Sequence, residues 1–164
     1  MLSRTSHWLN RIAEVLCSVI LLTMTLVVTL QVVCRYFLGA SLVWSEELSR
    51  YGLVWITFLG GSIALKKRAH MALEALVDKL SPKSRKMVQI FTLFTIMGFL
   101  TIATVKGVQL AIFNLKQHSP AMGVPMGVVY SAIPAGCLLM LVHAAEQLVT
   151  LLRNGPTLEP GRTG

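Results

Sequence analysis

The sequence predicts an all-α integral membrane protein: four transmembrane helices, both termini on the cytoplasmic side, and a short interfacial amphipathic helix. Three observations predict it. The chain has 164 residues, of which 54% are hydrophobic and only 13% charged, with a mean hydropathy of +0.67. A soluble domain of this length is rarely so apolar. The apolar residues fall in four long blocks, each able to cross a hydrocarbon layer of about 30 Å at about 1.5 Å per helical residue. Lys and Arg gather at the ends of these blocks, and they do so unequally. Arg4, Arg11, Lys66, Lys67, Arg68, Lys79, Lys83, Arg85, Lys86, Arg153 and Arg162 fall on one side, against Arg35, Arg50, Lys106 and Lys116 on the other. The richer side is read as cytoplasmic.

The net charge of +8 therefore reads as topology and not as a nucleic-acid surface, because no basic groove interleaved with aromatics is visible. Cys17, Cys34 and Cys137 lie in or beside apolar runs, with no CxxC pair or Cys/His cluster. They read as small packing residues and not as a zinc site or disulfide framework. No Gly-rich phosphate loop or Gly-x-Ser-x-Gly elbow is present.

The first span covers about 12–34. Its uncharged run, Val15 to Cys34, ends in Gln31-Val32-Val33-Cys34-Arg35, which is no signal-peptide cleavage site. Glu14 stands three residues from Arg11, a spacing that fits a boundary ion pair. Ser18, Thr25 and Thr29 lie near one helical face, suited either to another helix or to their own backbone carbonyls. Gly39, Ala40 and Ser41 break the pattern.

The second span covers about 43–65. Trp44, Tyr51, Trp55 and Phe58 form one stripe at helical spacing, read as packing or lipid contact. Gly60 and Ala64 form a small-xxx-small pair suited to helix packing. Lys66, Lys67, Arg68 and His70 end the span. Residues 70–80 carry Met71, Leu73, Leu76, Val77 and Leu80 opposite Glu74, Asp78 and Lys79, a short amphipathic helix for the membrane interface.

Ser81-Pro82 is a start signal for the next helix, whose first turns carry Lys83, Arg85 and Lys86. The third span covers about 87–106, and with no proline following, helical character extends to about Asn114. Residues 118–125, HSPAMGVP, are turn-rich. The fourth span covers about 126–152. Gly123, Gly127, Ser131 and Ala135 recur every fourth residue as a small packing face, and Pro134 predicts a kink. Residues 154–164 read as a flexible polar tail.

Charged residues set close to long apolar runs are costly unless they sit at a membrane boundary or pair with one another. One cluster stands out at the non-cytoplasmic boundary: Arg35, Trp44, Glu46, Glu47 and Arg50. Glu46–Arg50 and Glu47–Arg50 have i,i+4 and i,i+3 spacing, and Arg35 is close enough in sequence to meet either glutamate. The cluster reads as a structural clamp or a partner-docking edge. The spans lack midplane charges, so the chain is expected to assist a function carried elsewhere. An alternative is a membrane anchor of a respiratory enzyme, with or without haem b, for which His143 is the one histidine well inside a span.

The ordered combination of Arg35-Tyr36, Trp44-Ser45-Glu46-Glu47-Leu48, Arg50, Phe58-Leu59-Gly60, the basic turn with His70, and SPAMGVPMGVVYSAIPAG at 119–136 resembles the small membrane subunit, DctQ type, of tripartite ATP-independent periplasmic (TRAP) transporters. The resemblance covers about residues 10–150. It implies a non-catalytic scaffold in a prokaryotic inner membrane, paired with a large multi-span M permease subunit and a periplasmic solute-binding protein. It further implies secondary active uptake of organic acids by sodium symport, with sodium and solute on the large subunit and no cofactor in this chain.

Overall fold

The computed structural model describes residues 2–37, 39, 42–77 and 82–154, with side chains for 6–37, 39, 42–67 and 84–153. The described residues form five helices in order: α1 Leu2–Phe37, α2 Val43–Val77, α3 Pro82–Phe113, α4 Met126–Tyr130 and α5 Ala132–Asn154. Among the described residues, four segments are long and apolar enough to cross a membrane: Ser6–Phe37, Val43–Lys67, Ser84–Phe113 and Met126–Arg153. The chain is an all-α, multi-pass membrane protein.

The helices outrun the predicted spans. α1 has 36 residues, about 54 Å at the helical rise, against a hydrocarbon core of about 30 Å. The excess must tilt or project. α1 ends before Gly39, whose positive φ of 64° is cheap only for glycine. α2 continues without a break through the basic residues to Val77, so residues 70–77 are helical in line with the second span. Residues 78–81 and the tail 155–164 lie outside the described residues. α3 extends to Phe113, as the absence of proline predicts.

The fourth span is interrupted at Ser131, one turn before Pro134. Proline has no N–H to donate to the carbonyl four residues back. Restarting the helix at Ala132 places Pro134 in a first turn, where that donor is not required. The ladder is carried across the break by Ser131 N–H to Gly127 O at 2.9 Å and Ala135 N–H to Ser131 O at 3.1 Å.

Packing follows the order α1, α2, α5, α3, each helix against the next, and α1 and α3 share no more than a marginal contact. The four helices thus form an open row and not a closed bundle. The contacts are made where glycine lets backbones approach. A Cβ on Gly136 would lie 2.6 Å from Phe58 Cβ and 2.8 Å from Phe58 O, so α5 meets the α2 backbone there. Gly107 abuts Ile133 and Pro134, Gly52 abuts Met24, and Gly61 abuts Met140. Gly127 faces the carbonyl of Ala111 on α3.

The small residues singled out in the sequence have different fates. Gly127 sits in this close approach. Gly60 meets nothing within 4 Å and Ala64 is exposed, so the contact of α2 falls to its neighbours. Gly123 lies in the turn before α4, with φ of 66°. Ser131 turns its hydroxyl to Val128 O at 2.6 Å, and Ala135 is half-buried. The hydroxyls of Ser18, Thr25 and Thr29 bond the carbonyls four residues back, the local alternative to bonding another helix.

Gly136→Ala should destabilise the chain by about 1–3 kcal/mol, the usual cost of overpacking. Gly60→Ala should be neutral or slightly stabilising, because helical glycine costs about 0.5–1 kcal/mol relative to alanine. Thermal melting of the detergent-purified protein checks both, and equal melting points would count against the α2–α5 approach.

Candidate functional site

Two polar assemblies stand at opposite ends of the row. The first is built on Glu47, in the first turns of α2. The segment between α3 and α4 folds back on itself: Ser119 N–H bonds Val124 O at 2.9 Å, Gly123 N–H bonds Ser119 O at 3.1 Å, and Met126 N–H bonds Gln117 O at 2.8 Å. This leaves the backbone N–H groups of Ala121 and Met122 pointing at α2. Glu47 accepts both, at 3.1 Å on Oε1 and 3.0 Å on Oε2. Its side chain is only 8% exposed. A carboxylate accepting two backbone donors is a charge-assisted contact, and it fastens the turn to the helix across 74 residues of sequence.

The other predicted members of this cluster are placed differently. Glu46 is exposed and accepts from Gln31 Nε2 of α1 at 3.2 Å. Arg35 and Arg50 are exposed, and neither reaches a carboxylate among the described residues. Trp44 lies with Leu42, Val43, Glu47, Pro120 and Ala121 around an open cavity of about 430 Å³. The joint between α1 and α2 at this end is therefore a neutral amide on a carboxylate, where the spacing offered Arg35 or Arg50.

The second assembly was hidden from sequence reasoning. Ser6 on α1 and His143 on α5 are 0% and 1% exposed, and Ser6 Oγ stands 2.8 Å from His143 Nδ1. Lys66 Nζ of α2 donates to the same Ser6 oxygen at 2.9 Å. An ammonium can only donate, so Ser6 Oγ accepts from Lys66 and keeps a lone pair and its own proton for the bond with Nδ1. The other ring nitrogen of His143, Nε2, is buried without a partner among the described residues. Beside this chain, Gln147 Nε2 donates to Leu65 O at 3.3 Å. Three helices are thus joined around one hydroxyl.

Glu14 belongs to the same end. It pairs with Lys67 at 2.7 Å and accepts from Asn10 Nδ2 at 3.0 Å. The pairing with Arg11 expected from i,i+3 spacing is not made. Lys67 of the neighbouring helix reaches Glu14 where α1 and α2 pack, and Asn10 takes the local i−4 position. Among the orientation residues, Lys66 is inward-facing and Lys67 is paired, while the side chains of Arg68 and Lys83 lie outside the description. Arg85 makes an interaction within the chain, and Lys86 is half-buried.

No group of three or more His, Cys, Asp or Glu side chains suited to a metal is found among the described residues. What the site offers is fastening and surface: two polar joints, and between them two broad apolar faces. On α1, Val15, Leu22 and Leu26 are exposed. On α3, Phe91, Phe94, Phe99 and Ile102 are exposed.

Comparison with known proteins decides the family. The sequence model for tripartite ATP-independent periplasmic transporters, DctQ component, matches residues 24–154. The chain belongs to this family. It is 31% identical over 154 residues to a small permease protein assigned to a TRAP transporter in Haemophilus influenzae, covering 92% of this chain and 94% of that protein. It is 24% identical to the sialic acid TRAP transporter small permease protein SiaQ of Vibrio cholerae, covering 88% and 84%. It is 28% identical to the isethionate TRAP transporter permease protein DctMQ of Oleidesulfovibrio alaskensis, covering 81% of this chain and 22% of that protein. The DctQ-type chain is a transport component and not an enzyme, and the respiratory-anchor alternative is not favoured.

Glu47→Ala should release the 118–125 turn and lower the melting point of the purified chain clearly more than Glu46→Ala, whose carboxylate holds one exposed bond. Equal shifts would show that the turn does not depend on Glu47. At the other end, Ser6→Ala removes the shared hydroxyl and should cost about 1–3 kcal/mol, the penalty for stranding buried polar groups. Ser18→Ala, which loses only a local backbone bond, is the control in the same denaturation assay.

Proposed function

We propose that this DctQ-type chain is the non-catalytic scaffold of an ion-gradient-driven secondary transporter for organic acids. It anchors a large multi-span M permease subunit and contributes the Glu47 end to docking of a periplasmic solute-binding protein. The observation that carries this reading is the open row of helices. A closed bundle satisfies its own apolar surface inward, whereas a row presents two apolar faces that need lipid or another membrane subunit. An open layer suits a chain that widens and steadies the membrane footprint of a moving partner.

The relatives support the partnership. In the isethionate permease protein DctMQ the region like this chain is about a fifth of the length, consistent with a small scaffold joined to a large permease. Sialic acid and isethionate, in the names of two relatives, are both organic acids, so we assign this chain's transporter to that solute class. Sodium and solute belong, in this reading, to the large subunit. In this reading the Glu47 end faces the periplasm and both termini lie in the cytoplasm of a prokaryotic inner membrane, which the asymmetry of Lys and Arg supports.

Co-expression with its large permease tests the reading. The two should co-purify, and proteoliposomes should take up a labelled organic acid only when both subunits and the binding protein are present. Uptake by this chain alone would sink the proposal. The orientation is checked by cysteines placed at residues 3 and 120: an impermeant maleimide applied from the periplasmic side should label only the second.

A further inference from the structure

The polar joint between α1 and α5 holds a side chain whose charge changes within the range of cellular pH. His143 is 1% exposed, and its Nδ1 lies 2.8 Å from Ser6 Oγ of α1. Lys66 of α2 donates to that same oxygen at 2.9 Å. An ammonium and an imidazole thus stand on either side of one hydroxyl. Histidine is the side chain that ordinarily gains its proton between about pH 8 and about pH 5. An imidazolium donates from both ring nitrogens. Nε2 of His143 has no acceptor among the described residues, so the joint as built accommodates an uncharged ring.

The surrounding charges leave no room for a second cation. On α1, His7 is exposed one residue beyond Ser6 and gains charge over the same range, and Glu14 is taken by Lys67. On α2, Lys66 and Lys67 are both cations. On α5, Glu146 is the remaining carboxylate; it is half-buried and, among the described residues, is ion-paired with neither His143 nor Lys66. α3, which packs on α5, carries no ionisable side chain between Lys86 and Lys106, and α4 carries only Tyr130. One carboxylate is therefore left for two cations held by one oxygen, and burial keeps water from screening their repulsion.

We propose that the Ser6–His143–Lys66 joint is a proton-sensitive latch, which holds α1 to α5 while His143 is uncharged and releases the N-terminal end of α1 when His143 takes a proton. α1 meets α5 far less than it meets α2. Loss of this contact frees α1 from α5, while the Glu14–Lys67 pair still holds it to α2. The joint is complete at neutral and alkaline pH and is lost as the pH falls, because protonation adds the second cation. In the orientation of the scaffold reading the latch responds to cytoplasmic pH. The latch itself rests on the geometry of the joint and not on that orientation.

The test uses the full chain in lipid nanodiscs, where both ends meet the same pH. Cys17, Cys34 and Cys137 are replaced by alanine, and spin labels are attached through Trp8→Cys on α1 and Val149→Cys on α5, both exposed positions. The label-to-label distance is read by double electron–electron resonance. Between about pH 8 and about pH 5.5 it should lengthen by about 5 Å, half a helix diameter, and return when the pH is restored. His143→Asn offers Ser6 an amide that does not titrate, and should hold one distance across the range. Lys66→Met removes the ammonium and should cut the lengthening to less than half, while Lys66→Arg keeps it. The two Lys66 variants carry the test if His143→Asn melts early. An unchanged distance in the labelled parent chain would overturn the latch. So would lengthening that persists in His143→Asn, or that is the same in Lys66→Met and Lys66→Arg.

Discussion

Hydrocarbon offers a polar group no water to bond, so each polar side chain in this protein has to be paired within the structure or moved to a boundary. That constraint explains where the two joints stand. Glu47 sits at the start of α2 and its carboxylate is satisfied by two backbone donors of the 118–125 turn. His143, Ser6 and Lys66 stand at the other end, sharing one hydroxyl among three helices. Between the joints the helices adhere by contact alone. Water does not drive them together there, and close backbone approach supplies the attraction. Gly136 against Phe58 and Gly107 against Pro134 make α5 the helix on which both halves of the row rest.

The open row follows from how these contacts are distributed. α5 binds on both sides, α2 binds α1 and α5, and α1 and α3 terminate the layer. Nothing rolls the layer shut, because the small residues that permit close approach on α2 and α5 serve the sequential neighbours. Large apolar side chains are left on both faces. The result is a layer joined at each end that offers broad apolar surface, an arrangement that suits the scaffold role proposed above. Beyond the break at Ser131, α4 packs chiefly against α3, while α5 packs against both α3 and α2.

Much of this was legible in the residues. Contiguous hydrophobicity marks the four crossings, the absence of proline after Lys106 predicts the long α3, and Pro134 predicts an interruption that falls one turn earlier, at Ser131. The ordered motifs from Arg35 to Gly136 point to the family. Pairing was far less legible. Glu14 has Arg11 at a favourable spacing but bonds Lys67, and Lys66, one of a run of basic residues at the end of a span, turns inward to Ser6. Gly60 and Gly61 are indistinguishable by composition, yet only Gly61 abuts another helix, at Met140.

The sequence by itself determined the number of crossings, the side richer in positive charge, and the kind of residue at each boundary. Each of these is a sum over neighbouring residues and is insensitive to how the helices rotate. Tertiary structure alone decided which glycines touch, which carboxylate holds the turn, and which three helices meet at Ser6. A rotation of 100° separates adjacent residues on a helix, so a single step in register exchanges a packing residue for an exposed one. That step is set by the whole row packing together, over separations as long as the 137 residues between Ser6 and His143.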